Sequence, residues 1–392
     1  MILIVSEMCA EPIHGGGITL HRILGNEINN FKYFIKVVNY TSEPEILSPN
    51  YRIFPFGYQA KWLNKTIGCS LTYQIFTNNL VRKIHSEKIA SQLVGKKIIS
   101  HNSKLLVCPQ GEFTLYTLEK LHRLTNVPYI TWLMDDHLVK WTNNQWSYRY
   151  DHEVLMRNHL QQAAQVFVIS PELQHFYKQR FGVDSEVLFA PCENLYEPIY
   201  QNIESHEKCN LAYFGTIGSW QQDALEVLLP LVKKDVIILN IFTHNPSSIP
   251  PIFQSAGIVI HKPVPPDEVT QVMRNYDAVV IPISFRDQLR NMSCFNIATK
   301  MSECLSSGTV TLVIGPSDSA MVKFLLPYDA AVLLTETTEQ NIKDAISTLK
   351  NQDQRQRMIT NAKNLIRQEL HYTSMRLKWE SASQWLELDN RN

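Results

Sequence analysis

The sequence predicts an α/β protein with two domains, each built on a doubly wound parallel sheet. Short apolar runs alternate with helical stretches through both halves of the chain, and each half opens with a strand, a glycine turn and a helix. The length of 392 residues supports a division, because single hydrophobic cores stop growing at roughly 250–300 residues.

The first half opens with the apolar run ILIV, three glycines at 15–17 and a helix-like stretch. Helical stretches at 116–124 and 152–163 lie between further predicted strands, which we place at 33–38, 105–108, 129–134 and 166–170. Strands separated by helices of this length form parallel βαβ units.

The second half repeats this alternation after a polar, aperiodic segment near 190–210 that we interpret as a linker. Its predicted helices cover DALEVLLPLV, 267–276 and 298–308, and its predicted strands are 211–215, 236–242, 257–261, 278–283 and 309–315. The boundary therefore falls near residue 195.

Composition excludes several classes of protein. The 37 basic and 37 acidic residues cancel, which argues against a domain that coats nucleic acid. The seven cysteines show no CxxC spacing, so we predict neither a disulfide framework nor a metal site. No basic N-terminal region or membrane-length apolar run is present, and we predict a cytoplasmic protein.

The two glycine turns are candidate phosphate sites. Glycine has no Cβ, so backbone N–H groups and a helix N-terminus can approach an anion there. Neither turn matches GxGxxG, which argues against a dehydrogenase. The simpler alternative is that glycine only permits a tight strand-to-helix turn; the candidates are Gly16 and Gly17 in the first half, and Gly215, Thr216 and Gly218 in the second.

Two longer segments carry a family resemblance. VPPDEVTQVMRNYDAVVIPISF, followed by NIATKMSECLSSGTVTLVI, resembles the nucleotide-sugar half of GT-B glycosyltransferases, especially the retaining family 4 or group 1 type. The segment AAQVFVISPELQHFYKQRFGVDSEVLFAPCEN resembles the part of that family before the linker. The positions that match the family pattern are Asp277, Pro282, Lys300, Glu303 and Gly308.

The resemblance implies two Rossmann-like domains facing across a cleft. Residues 1–195 would form the acceptor domain and 196–370 the nucleotide-sugar domain, with 371–392 a helix that crosses back to the first domain. It also implies a metal-independent reaction that retains the anomeric configuration.

The same resemblance assigns donor contacts in the second half. Glu303 would accept the ribose hydroxyls, and Lys300 would reach the diphosphate from the same helix face. Arg286 and Arg290, in the loop after Pro282, could add bidentate phosphate contacts or could simply be solvated. Glu303 could alternatively be a carboxylate that only offsets the helix dipole.

The pattern also departs from the family at two places. The family often carries a second glutamate eight residues before the position of Glu303, where this chain has Phe295. The basic residues that often follow the second glycine turn are absent from SWQQDALE. Arg286, Arg290 and Lys300 would therefore have to neutralise the phosphates.

The run YITWLMDDHLVKW supplies the candidate catalytic residues. A predicted strand ends before Asp135, Asp136 and His137, at the edge where open α/β sheets bind ligands. An aspartate could stabilise positive charge on the sugar or orient a hydroxyl, and His137 could transfer protons near neutral pH. One of the two aspartates could instead be a helix N-cap.

Two further stretches suggest partners. Trp141 and Trp146 could stack on an acceptor sugar, although core packing explains either one equally well. The basic stretch LVRKIHSEKIASQLVGKK could contact the inner face of an anionic membrane, although a solvated helix face is the simpler interpretation.

We therefore predict a glycosyltransferase that transfers a hexose-like sugar from a UDP- or GDP-sugar to a hydroxyl of a carbohydrate, lipid-linked or small-molecule acceptor. The nucleotide sugar is a co-substrate, and no other cofactor is expected. Two alternatives remain open at this point: a nucleotide-sugar epimerase of the same fold, and a catalytically silent partner protein, which Phe295 makes plausible.

Overall fold

A computed structural model describes residues 1–7, 15–38, 51–55, 79–192, 195–197 and 208–387. The chain divides into two compact units. Unit 1 comprises Met1–Leu188 together with Arg376–Asn392, and unit 2 comprises Phe189–Met375. Each unit is an α/β structure.

Unit 1 is built on a seven-stranded parallel sheet of order β3-β2-β1-β4-β5-β8-β9, with a separate β6-β7 hairpin. Its strands are β1 (Ile2–Ser6), β2 (Tyr33–Val38), β3 (Tyr51–Pro55), β4 (Lys104–Cys108), β5 (Tyr129–Leu133), β6 (Lys140–Thr142), β7 (Gln145–Ser147), β8 (Gln165–Val168) and β9 (Glu186–Val187). Its helices are α1 (Gly15–Leu24), α2 (Asn79–Gly95), α3 (Glu112–Thr125), α4 (Tyr150–Gln162) and α5 (Pro171–Phe181).

Unit 2 is built on a six-stranded parallel sheet of order β12-β11-β10-β13-β14-β15. Its strands are β10 (Cys209–Phe214), β11 (Ile237–Phe242), β12 (Val259–His261), β13 (Ala278–Pro282), β14 (Val310–Ile314) and β15 (Val332–Leu334). Its helices are α6 (Gln222–Glu226), α7 (Leu229–Lys233), α8 (Pro251–Ser255), α9 (Val269–Met273), α10 (Arg290–Phe295), α11 (Met301–Ser306), α12 (Ala320–Leu325), α13 (Glu339–Lys350) and α14 (Gln352–Leu365).

Helix α15 (Tyr372–Leu386) follows a π-helical turn at Ile366–Leu370 and continues into unit 1 from Arg376 onward. Trp379 on this helix is fully buried and packs against Phe167 of β8, with ring centroids 5.8 Å apart. Short 3₁₀ helices occupy Gly25–Asn30, Pro246–Ser248, Asp287–Leu289 and Leu326–Tyr328.

The carboxylate of Glu27 holds α15 within unit 1. Glu27 pairs with the guanidinium of Arg376, accepts the indole N–H of Trp379 at 2.9 Å and accepts the hydroxyl of Ser383 at 2.9 Å. Three donors from successive turns of one helix thus converge on one side chain, which is only 14% exposed.

The cores follow from the apolar runs. Central strands are buried on both faces, as β5 and β13 illustrate with five buried residues each. Leu105 and Val107 of β4 pack with α2 and α3 in unit 1, whereas Leu239 and Leu312 belong to the core of unit 2.

The predicted fold class, with two doubly wound α/β sheets, is confirmed, and the predicted strands are present to within a few residues. Two predicted helices differ. The stretch DALEVLLPLV forms two short helices, α6 and α7, because Pro230 lacks the N–H needed to continue one helix and instead lies in the first turn of α7. The helix expected at 267–276 is regular only over Val269–Met273.

Candidate functional site

The strand order places a topological switch point in each sheet. The order reverses between β10 and β13 in unit 2, and between β1 and β4 in unit 1. Open α/β sheets bind ligands at the carboxyl ends of the strands beside such a point. In unit 2, Gly215 directly follows β10 and the loop with Arg286 follows β13, so both lie at this switch point.

Gly215 and Lys300 lie close together in unit 2. Gly215 has a φ of +151°, and a Cβ atom there would lie 2.5 Å from the Lys300 Nζ and 2.9 Å from the hydroxyl of Tyr213. The Lys300 ammonium also lies 5.6 Å from the centre of the Tyr213 ring. Because Gly215 has no Cβ, the Lys300 ammonium can lie directly beside the backbone of the turn that follows β10.

Burial and a nearby carboxylate act in opposite directions on the pKa of Lys300. Burial lowers the pKa of Lys300, and the negative charge of Glu303 opposes that effect. Lys300 directly precedes α11 and Glu303 lies in its first turn, so both side chains start from the same end of one helix. The contact of these two side chains with a donor, which the resemblance implies, stays a prediction.

The two candidate arginines are each paired with a carboxylate. Arg286 lies in the loop after β13 as expected, whereas Arg290 is the first residue of α10 rather than a loop residue. Arg290 forms an ion pair with Asp318, which follows β14, and its Nη1 lies 3.9 Å from Asp287. The Nε of Arg286 lies 3.9 Å from Asp223, and Arg286 is 42% exposed. An anionic ligand would have to share these guanidinium groups with their present partners.

The remaining candidates of the unit 2 loop have mainly backbone roles. The Thr216 carbonyl accepts the Tyr213 hydroxyl at 2.9 Å, and the Gly218 N–H donates to the side chain of Gln221 at 3.2 Å. These bonds close the turn between β10 and α6. Phe295, at the position of the family glutamate, is buried at the end of α10.

Gly16 and Gly17 differ from the expected arrangement. They lie inside α1 rather than in the turn before it, and Gly17 is buried. The intervening residues 8–14 lie outside the described part of the chain. The expected role of this turn in donor binding therefore stays a prediction.

Asp136 is held by four donors. One carboxylate oxygen accepts the N–H groups of Leu138 and Val139 at 3.0 and 3.1 Å. The other accepts the hydroxyls of Tyr148, at 2.5 Å, and Tyr177, at 2.9 Å. Asp136 is only 3% exposed, so this environment favours a structural role over the catalytic role expected from the sequence.

Asp135 and His137 are the more accessible members of the run. Their side chains are 14% and 30% exposed, and the Asp135 Oδ2 lies 3.9 Å from the His137 Nε2. Burial lowers the pKa of His137, partly offset by the charge of Asp136, so a neutral imidazole is favoured at neutral pH. A neutral imidazole can accept a proton, and the adjacent carboxylate can stabilise the cation that results.

Sequence reasoning missed Glu7, which directly follows β1. Its carboxylate accepts the backbone N–H groups of Gln110 at 2.6 Å and Thr114 at 3.0 Å, at the first turn of α3. Burial raises the pKa of Glu7 to about 7, although these hydrogen bonds act in the opposite direction. The sequence feature that could have identified Glu7 is its position directly after a predicted strand.

Trp141 and Trp146 form a cross-strand pair on the β6-β7 hairpin. Their rings meet edge to face with centroids 4.8 Å apart, and Trp146 also contacts Phe176 of α5 at 6.3 Å. Both indoles are half-buried, while the turn residues Asn143 and Asn144 are exposed. The hairpin thus carries a pair of half-buried aromatic rings a few residues after Asp135 in the sequence.

Over the described ranges, no group of three or more His, Cys, Asp or Glu side chains is arranged to hold a metal ion. No helix in the described part of the chain is long and apolar enough to cross a bilayer.

No protein-family pattern and no curated protein sequence matches this chain. Solved structures do match. HepE of Anabaena, in complex with UDP and glucose, is 11% identical with a TM-score of 0.64, over 97% of this chain and 99% of HepE. Sucrose-phosphate synthase of Thermosynechococcus elongatus is 11% identical with a TM-score of 0.69, over 99% and 100% of the two chains.

A third match is the lipopolysaccharide outer core galactosyltransferase WaaB, at 11% identity and a TM-score of 0.58, over 98% of this chain and 99% of WaaB. These proteins are GT-B glycosyltransferases. Structural similarity at such low sequence identity shows the fold alone. The chain therefore has the GT-B fold over nearly its whole length.

Proposed function

We propose that this protein is a glycosyltransferase that moves a sugar from a nucleoside diphosphate sugar to an acceptor hydroxyl. The observation that carries the proposal is the approach of the Lys300 ammonium to Gly215, at the switch point of the unit 2 sheet. Such an arrangement offers backbone N–H groups and a cation to a leaving diphosphate. Several structures of the same fold contain UDP or a UDP sugar, including HepE.

In this proposal unit 2 binds the donor. Lys300 contacts the diphosphate, and the Glu303 carboxylate accepts hydrogen bonds from the ribose hydroxyls. The Arg290 and Arg286 side chains divide their hydrogen bonds between phosphate oxygens and their present carboxylate partners. Because both arginines already have carboxylate partners, the site carries less unbalanced positive charge before the donor binds.

Unit 1 supplies the group that acts on the acceptor. In the reaction, the bond between the anomeric carbon and the diphosphate oxygen breaks, the acceptor oxygen bonds to that carbon, and the acceptor loses its proton. We assign the proton and the stabilisation of positive charge to His137 and Asp135, because these two side chains are adjacent and accessible. Retention of configuration, metal independence and transfer of a hexose belong to the proposal through the resemblance alone.

The β6-β7 hairpin offers a place for a sugar acceptor. Aromatic rings bind sugar rings through their apolar faces, and the half-buried pair Trp141 and Trp146 lies only a few residues after His137. We propose a carbohydrate or a lipid-linked carbohydrate as the acceptor. A free small molecule remains the alternative.

Peripheral contact with a membrane is a second part of the proposal. On α2, Leu80 and Ile84 are 65% and 58% exposed one turn apart, and Lys88 is exposed one turn further on. Apolar side chains next to basic ones suit the surface of an anionic bilayer. A cytoplasmic location at the inner membrane face would agree with this, and it stays a prediction.

The test is nucleotide binding followed by turnover. UDP and GDP are titrated by calorimetry, and UDP and GDP sugars are then incubated with the protein and followed by mass spectrometry. We expect one diphosphate to bind, and Glu303→Gln to weaken binding by about 1–3 kcal/mol, the scale for losing hydrogen bonds to a charged group. Failure of both nucleotides to bind the wild-type protein would contradict the proposal.

The same assay separates the alternatives. An epimerase would release an altered nucleotide sugar without any acceptor. A silent partner protein would neither hydrolyse nor transfer the sugar of any donor that it binds.

A further inference from the structure

Three neighbouring strand ends in unit 1 are joined by one glutamine. The sheet order places β1, β4 and β5 side by side, and the residues that follow them include Glu7, Gln110 and Asp135. The backbone N–H of Gln110 donates to Glu7, and its side-chain amide donates to Asp135. Gln110 therefore bridges the switch point to the candidate catalytic run.

Glu7 fixes the backbone of Gln110. Helix α3 begins after Gly111, which has no side chain that could cap it. The Glu7 carboxylate takes that role from another strand, accepting Gln110 N–H at 2.6 Å and Thr114 N–H at 3.0 Å. The loop between β4 and α3 thus has a defined position relative to β1.

The Gln110 side chain then reaches the Asp135 carboxylate. Its Nε2 lies 3.4 Å from the Asp135 Oδ2, and the same oxygen lies 3.9 Å from the His137 Nε2. A glutamine amide donates a hydrogen bond without changing charge, so it can orient a carboxylate and leave its charge available. Hydrogen bonds of active sites are often long before substrate binds, which fits the 3.4 Å distance.

The run is also held from its other side. Asp136 is anchored by Tyr148 and Tyr177, so the backbone next to Asp135 is fixed while its side chain stays partly exposed. Gln110 contacts the carboxylate of this partly exposed side chain, so its hydrogen bond restricts the rotation of the Asp135 carboxylate.

We propose that Gln110 is a positioning residue that orients the Asp135 carboxylate toward His137, with Glu7 as the support of Gln110. This inference rests on the proposed function, because it gives Asp135 and His137 a role in sugar transfer. Gln110 acts through Asp135 and needs no contact with the donor.

The main test is Gln110→Met, which keeps the length of the side chain and the backbone bond to Glu7 but removes the amide donor. The matched control is Gln165→Met at the start of β8, which removes a neutral hydrogen bond to Ser381 of 2.9 Å. We expect kcat to fall about tenfold in Gln110→Met, with the donor KM within twofold of wild type, and neither value to change in the control. Wild-type kcat in Gln110→Met would overturn the inference.

A second variant, Gln110→Glu, is measured as a function of pH, because a purely structural role of Gln110 would not make its relative rate depend on pH. Its carboxylate repels Asp135 when ionised, but its protonated form can donate as glutamine does. We expect its rate relative to wild type to rise as the pH falls from 8 to about 5. A pH-independent ratio would contradict the proposed hydrogen bond.

A third measurement does not depend on turnover. The thermal unfolding midpoints of Gln110→Met, Asp135→Asn and the double variant form a cycle, and we expect the loss in the double variant to fall short of the summed losses by about 1 °C. Additive losses would overturn the contact between the two side chains. Non-additive losses in a protein that turns over no donor would instead reject the proposed function and retain the contact.

Discussion

The Nζ of Lys300 lies 2.5 Å from the point that a Cβ on Gly215 would occupy. The two residues are far apart in sequence. Because Gly215 has no side chain, the ammonium of Lys300 can occupy this position. Gly215→Ala should therefore displace the ammonium and reduce affinity for UDP or GDP by tenfold or more, as should Lys300→Met.

Gly257→Ala is the control for that experiment. Gly257 also has a positive φ, +84°, but its Cβ would meet no atom within 4 Å, so this substitution adds only backbone strain of about 1 kcal/mol. Calorimetry should find nucleotide affinity unchanged there. Equal effects at both glycines would show that strain, rather than the Lys300 contact, controls binding.

Substitutions at Asp136 and Asp135 should have different effects. The first should reduce stability, and the second should reduce turnover. Asp136→Asn weakens a carboxylate that accepts from Tyr148 and Tyr177, whose pKa values are raised by burial and by the Asp136 charge, so that both phenols remain donors. We expect about 1–3 kcal/mol less free energy of unfolding in urea for Asp136→Asn. Asp135→Asn should change unfolding by less than about 0.5 kcal/mol and reduce sugar transfer. The reverse pattern would return the catalytic role to Asp136.

Glu7 should make stability depend on pH. Its pKa in the folded protein is about 7, above its ordinary value near 4.5. A raised carboxyl pKa stabilises the folded state fully below pH 4.5, and this contribution is lost as the pH rises through 7. The free energy of unfolding of wild type, measured relative to Glu7→Gln, should therefore fall by about 1–3 kcal/mol between pH 4.5 and 8. Parallel pH profiles for the two proteins would contradict the assignment.

Glu27 should be important for the docking of α15. Glu27→Gln replaces a charged acceptor of three donors, and we expect a loss of about 2 kcal/mol in the free energy of unfolding, measured with urea. The comparison variant is Glu387→Gln, whose exposed ion pair with Lys104 should contribute less than about 1 kcal/mol. A comparable loss in both would mean that the buried site adds nothing.

The exposed leucine and isoleucine of α2 should govern membrane binding. Leu80→Ser combined with Ile84→Ser should reduce sedimentation of the protein with vesicles of anionic lipid, because less apolar surface enters the interface. Leu377→Ser on α15 removes a side chain of similar exposure, 66%, from a different helix, and should have no effect. Equal binding by all three proteins would exclude α2 as the contact.

The sequence predicted the strands well because central parallel strands are almost continuously apolar. It predicted the β6-β7 hairpin poorly, since WTNNQW reads as a polar stretch. Asn143 and Asn144 adopt φ values of +51° and +58°, as a two-residue hairpin turn requires, so consecutive asparagines were the signal that could have found it.

The candidate site was predictable in part. The family resemblance identified Lys300 and Glu303, and the structure places both at the start of one helix. The distinction between Asp135 and Asp136 was not predictable, because it depends on Tyr148 and Tyr177, which are 12 and 41 residues further along the chain. Glu7 and Gln110 were missed for the same reason: only the pairing of β1 with β4 brings them together.

The contacts of Glu27 also affect the order in which the two units can fold during synthesis. Unit 2 is one continuous segment, whereas unit 1 needs Arg376, Trp379 and Ser383, which a ribosome adds after all of unit 2. Until then the surface of β8 around Phe167 lacks the indole that buries it. During synthesis, at about 5–20 residues per second, unit 1 therefore waits for roughly ten seconds or more with an uncovered apolar face, a period in which chaperones could bind it.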